Sequence, residues 1–102
     1  MTLPSAFPVR EVANQGWQVL IVPENNWLVC ACEADARTIA KAPVLEFQSL
    51  ESTRSGEEFA QELESVAEAM RRYRIGFGSR FFESRARIAR GLKDQDIHGD
   101  IP

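Results

Sequence analysis

Few residues of this chain carry side chains suited to chemistry at neutral pH, and their spacing decides what they can do. His98 is the only histidine, and so the only unperturbed side chain that titrates near neutrality. It sits among Asp94, Asp96 and Asp100 in a polar tail, which reads as a solvent-exposed position. Cys30 and Cys32 are spaced C-x-C, not the C-x-x-C of redox and zinc sites. On a strand both thiols face one way, and two small buried apolar side chains are the simplest reading. Gly76-Phe77-Gly78 follows a helical segment and lacks the third glycine of a phosphate-binding fingerprint, so it reads as a turn. Neither G-x-S-x-G nor H-E-x-x-H occurs. Catalytic residues, metal ligands and cofactor-binding residues are therefore all assigned as none, and no enzymatic activity is expected.

The arginines offer more. The formal charge is −3, but it is a cancellation. Residues 1–70 hold four basic and eleven acidic side chains, a net of −7. Residues 71–93 hold eight basic side chains against Glu83 alone, a net of +7, and residues 94–102 add −3. Arg71, Arg72, Arg74, Arg80, Arg87 and Arg90 form a candidate surface for nucleic acid or an acidic protein, because guanidinium forks bind phosphate and carboxylate. The competing reading pairs them with Glu57, Glu58, Glu62, Glu64 and Glu68, within the chain or between copies. No helix-turn-helix, zinc-finger or RNA-stacking signature supports nucleic acid.

These residues need elements to hold them. A chain of 102 residues, 44% apolar and 26% charged, fits one soluble domain, with loose ends at 1–8 and 94–102. Gly16–Val22 and Asn26–Cys32 read as an antiparallel hairpin around the turn Pro23-Glu24-Asn25-Asn26, and 9–12 as a third, edge strand. Both hairpin strands are apolar on both faces, which calls for a cover on the second face from helices or another subunit. Helices are expected at 34–42, 56–74 and 80–90, with a short helical turn or an extended stretch at 44–50. Ser55 and Glu58 have capping-box spacing, and Ser79 is placed to cap the last helix. Gly91 suits that helix's C-terminal side, with Leu92 as its closing contact. Phe59, Leu63, Val66, Ala67, Met70 and Tyr73 recur at helical spacing, and Phe81, Ile88 and Ala89 are assigned inward. The fold class is α+β.

The aromatic content bears on partners. Trp17, Trp27, Met70, Tyr73, Phe81 and Phe82 are candidates for an apolar interface or a small-ligand pocket. Phe81 and Phe82 are adjacent, so on a helix they point about 100° apart and need cover on two sides. A homodimer or higher oligomer is the expected solution. No cofactor is expected. No segment reaches the roughly 20 apolar residues that span a bilayer, and no signal peptide is evident. A cytoplasmic protein with reduced thiols follows as the expectation.

The segment Glu33-Ala34-Asp35-Ala36-Arg37-Thr38-Ile39-Ala40-Lys41-Ala42-Pro43-Val44-Leu45 resembles a strand-to-helix stretch of short orphan proteins from phages and other mobile elements, which reads A-N-A-R-L-I-A-A-A-P-E-L-L. Ala34, Ala36, Arg37, Ile39, Ala40, Ala42, Pro43 and Leu45 match it. Asp35, Thr38, Lys41 and Val44 depart from it. The chain is also similar in general character to integron gene-cassette products. The resemblance implies a bacterial mobile-gene origin and an unassigned function, and it transfers no functional residue. The expectation is a small non-enzymatic binding or interaction protein that pairs with itself, with nucleic-acid binding and small-ligand binding as alternatives.

Overall fold

The computed structural model describes residues 4–75 and 78–91. The expectations for Gly76, Phe77, Leu92 and the tail with His98 lie outside them. The α+β class is observed: a three-stranded antiparallel sheet followed by helices. The chain divides between Phe47 and Gln48 into two compact units.

The first unit holds β1 (Val9–Val12), β2 (Gly16–Ile21), β3 (Asn26–Cys30) and α1 (Glu33–Ala40). Sheet order is β1-β2-β3, so 9–12 does join the hairpin. The β2–β3 turn opens with a 3-10 turn at Val22–Glu24 that carries a proline at its start. It closes on Asn25 at φ 51, the left-handed geometry that asparagine tolerates. β2 thus ends one residue, and β3 two residues, before the expected positions.

Register assigns the faces. Val19 stands opposite Val9 and Leu28, and Trp17 opposite Glu11 and Cys30. Gln18 stands opposite Arg10 and Val29, and Leu20 opposite Trp27. Val19, Ile21 and Cys30 are buried, as are Ala36, Ile39 and Ala40 of α1. α1 packs on the first of these faces, with the Arg37 guanidinium 5.5 Å from the centre of the Trp17 ring. On the second face Arg10 shields Trp27, while Val29 on that face stays 55% exposed. Arg10 lies 3.7 Å over the Trp27 ring and donates to Gln18 Oε1 at 2.8 Å, and Gln18 donates to Gln15 at 3.1 Å. A cation laid on an indole shields apolar area while its own charge stays solvated at the rim.

Cys30 is buried but Cys32 is exposed, which corrects the expectation of two buried thiols. The strand stops at Cys30, and Cys32 is already the extended residue that precedes α1. The thiols therefore do not share a strand face.

α2 (Ala42–Leu50) settles 44–50 as helix. α2 runs across the boundary between Phe47 and Gln48, and the second unit holds α3 (Glu57–Arg72) and α4 (Ser79–Ala89). Phe59, Leu63, Val66, Ala67 and Met70 are buried along α3 as their spacing requires, while Tyr73 is half-buried. Each of the larger ones contributes about 1.5–3 kcal/mol by leaving water. On α4 the buried residues are Phe82, Ala86 and Ala89, while Phe81 is half-buried and Ile88 is 37% exposed. The inward assignment of Phe81 and Ile88 is thus corrected, and only one of the adjacent phenylalanines needs full cover. The two rings meet edge to face at 5.3 Å.

Neither expected serine cap forms. α3 is preceded by Gly56 at φ 100 and α4 by Gly78 at φ 98, with no side-chain cap bond at either. A capping hydroxyl needs an extended backbone, and the chain instead enters both helices through a conformation open to glycine. Ser79 consequently becomes the first residue of α4. Gly91, at φ 90, follows that helix as its sequence position suggested.

Candidate functional site

α3 and α4 pack side by side, and the charges predicted to complement one another meet along their shared groove. Glu57 and Glu64 are two turns apart on α3. Arg90, which caps the C-terminus of α4, reaches both. It donates from Nε and Nη2 to the two oxygens of Glu57, both at 2.8 Å, and from Nη1 and Nη2 to those of Glu64 at 2.6 and 2.7 Å. One planar guanidinium thus makes a forked pair with each of two carboxylates, the geometry that separates arginine from lysine. These hydrogen bonds hold both carboxyls below their ordinary range and raise the arginine further above its own. Glu57 also accepts from Gln61 at 3.2 Å.

Further along the groove, Arg71 of α3 pairs with Glu83 of α4. Arg72 pairs with Glu68 one turn earlier at 3.2 Å. A trough of about 550 Å³ runs between them, lined by Glu64, Glu68, Arg71, Glu83, Arg87 and Arg90. Its three acids and three bases balance. Of the six arginines read as a candidate surface, Arg71, Arg72 and Arg90 are therefore held by carboxylates inside the chain. Arg74, Arg80 and Arg87 make no ion pair among the described residues. Arg87 lines the trough; Arg74 and Arg80 do not.

The apolar candidates separate as well. Met70 and Phe82 are core, 3% and 2% exposed. Trp17 and Trp27 are half-buried in the first unit, each beneath an arginine. Tyr73 and Phe81 are half-buried in the second unit.

Sequence reasoning missed the free edge of the sheet. β1 carries Arg10 and Glu11 at its centre. β3, the opposite edge, reads Asn-Trp-Leu-Val-Cys and carries no charge. Its Val29 is 55% exposed, and no further strand pairs with it among the described residues. The signal is present in the uncharged run 26–32, whose two apolar faces point to a cover but do not say which strand forms the edge.

Also unread was a second arginine cluster. Arg85 donates to Ser49 Oγ and to the Ser49 carbonyl at 2.5 and 2.6 Å. Arg54 pairs with Glu62, donates to Gln48 at 3.2 Å and lies 4.6 Å over the Phe59 ring. Ser49 and Arg85 are 36 residues apart, so no local pattern announces their contact. Among the described residues, no group of three or more His, Cys, Asp or Glu side chains is arranged to hold a metal ion. No described helix is long and apolar enough to cross a membrane. In comparisons with known proteins, the chain matches no family, no curated protein and no solved structure.

Proposed function

We propose that this chain is a non-enzymatic interaction protein that works as a homodimer, two copies pairing along β3. The observation that carries the reading is the contrast between the two sheet edges. An edge strand offers a row of unpaired backbone donors and acceptors, and proteins that stay single guard such edges with charge, proline or bulges. β1 is guarded by Arg10 and Glu11; β3 is not. Its exposed Val29 adds apolar surface beside the backbone row. A second copy is the partner that matches this edge, because an antiparallel strand pair obeys the twofold symmetry of the commonest oligomers.

Light scattering at micromolar concentration tests it. The expected particle has twice the 11.5 kDa mass of the chain. Val29→Lys, at a position already exposed, returns the protein to single copies without loss of helical signal. A wild-type particle of 11.5 kDa refutes the proposal.

The nucleic-acid reading is weakened by the same geometry that pairs Arg71, Arg72 and Arg90. Losing half of a candidate arginine surface to internal carboxylates removes half of its phosphate contacts and the salt-dependent affinity they supply. Duplex DNA is therefore expected to show no binding at about 50 mM salt, a range where phosphate contacts are still strong.

A further inference from the structure

The last turn of α2, the loop that follows it and one flank of α4 enclose a cavity of about 270 Å³ in the second unit. Arg54, Arg85, Ser49, Ser52 and Ser55 supply its polar wall, and Phe59 and Ile88 its apolar wall. No carboxylate lines it. The charge of Arg54 is answered by Glu62, which stands outside the lining. Arg85 has only neutral partners among the described residues: the Ser49 hydroxyl and carbonyl, and the Phe81 ring with its centre 6.0 Å away. A guanidinium has five N–H donors, so Arg85 keeps donors beyond the two given to Ser49. A half-buried cation without a counter-charge, set among serine hydroxyls, favours an anion that replaces lost hydration with charge-assisted hydrogen bonds.

We infer that this cavity binds a small phosphate-bearing anion. Two guanidinium groups and three hydroxyls, presented from three segments of the chain, suit the several oxygens of a tetrahedral phosphate better than the two of a flat carboxylate. The volume lies just below the usual range of about 300–1,000 Å³ for ligand pockets, which limits the occupant to a phosphate with a short organic stem. Ile88, 37% exposed at this wall, gives such a stem an apolar contact. The site shares no lining residue with the Arg–Glu trough and does not depend on β3 pairing.

The test titrates the full chain with inorganic phosphate and with phenyl phosphate, followed by amide chemical shifts and by thermal unfolding. Saturable shifts at Ser49, Ser52, Ser55 and Arg85, with a raised unfolding temperature, are expected in the millimolar range or tighter. Phenyl phosphate binding more tightly than inorganic phosphate assigns the site to an organic ester. Equal affinities assign it to the free ion. Ser55→Asp places a carboxylate in the cavity at an exposed position and leaves the Arg85–Ser49 bonds in place. It is expected to weaken binding at least about tenfold, equivalent to about 1.4 kcal/mol. Arg87→Gln, in the other groove, leaves binding unchanged. Arg85→Gln also abolishes it, and where that variant fails to fold, Ser55→Asp decides. The inference is overturned by an absence of saturable shifts with either phosphate, or by Ser55→Asp binding as well as the wild type.

Discussion

Cys30 and Cys32 stand two residues apart yet live in different surroundings. Burial, with smaller effects from Asp35 and Cys32, pushes the Cys30 thiol up to about 11, whereas Cys32 is exposed. The thiolate is the reactive form, so iodoacetamide near pH 8 is expected to modify Cys32 and spare Cys30, as peptide mass spectrometry will show. Cys32→Ser then leaves the folded protein almost inert, and rapid labelling of Cys30 contradicts the buried placement. Arg90 makes a second prediction at this scale. Glu57 and Glu64 ordinarily protonate near 4.5, and the hydrogen bonds from Arg90 lower both in the folded chain. Folded carboxyls then bind protons less readily than unfolded ones. Their stabilisation is full above about pH 4.5 and is lost as pH falls through the lower folded values. All three side chains meet solvent, so the effect is modest. Arg90→Gln is expected to lower the denaturation midpoint at pH 7 and to flatten the decline below pH 4.5, read by urea unfolding at several pH values. An unchanged acid limb rules out the forked pairs as its source.

Among the elements, α3 was the most legible because its apolar residues repeat at one period and acids and arginines sit at the ends that the helix dipole favours. Its boundaries came within two residues of the expected ones. α4 was read less well. Phe81, Phe82, Ile88 and Ala89 offer more apolar residues than one narrow face accepts, and only packing against α3 selects Phe82, Ala86 and Ala89. The caps failed for a backbone reason, since a serine one residue away from a left-handed glycine is displaced from the capping position. Gly78 makes this testable. An added Cβ there meets Met70 Sδ at 3.2 Å, whereas at Gly56 nothing lies within 4 Å. Both positions have a positive φ, which strains a residue other than glycine by about 1–3 kcal/mol. Gly78→Ala is expected to lower the urea midpoint, and by less in a Met70→Ala background, where the difference reports the Met70 contact. Equal costs in the two backgrounds mean that Met70 moves aside freely.

For the molecule as a whole, the segmental charges foretold the main electrostatic feature. A basic 71–93 and an acidic helix do meet, through Arg90 with Glu57 and Glu64, whereas Arg71 pairs with Glu83 inside the basic segment itself. What could not be read was the partner choice of Arg10, Arg54 and Arg85, because each meets residues that only folding brings near. The apolar excess of the hairpin was legible, and so was the need to cover it. That Arg10 lies over Trp27 was not, because strand propensity at 9–12 does not say where the Arg10 side chain goes. Removing that cover is a prediction at this scale. Arg10→Ala is expected to bare the Trp27 ring, lower the unfolding temperature and raise binding of the dye ANS. Unchanged dye binding shows that the indole is shielded by other means.

The unequal edges of the sheet also set a limit on growth. An edge that invites pairing on both sides would let copies add without end, as in a fibre. Both β1 and β3 are edges, but only β3 lacks charge, and the proposed pairing about a twofold axis would consume both copies of it. In the proposed dimer, β1 with Arg10 and Glu11 would remain outward on each copy, a terminus in the polymer chemist's sense. Concentrating the protein should therefore fill a finite species and leave thioflavin fluorescence at baseline, and neutralising the guarded side with Arg10→Val and Glu11→Val is where open-ended stacking should begin.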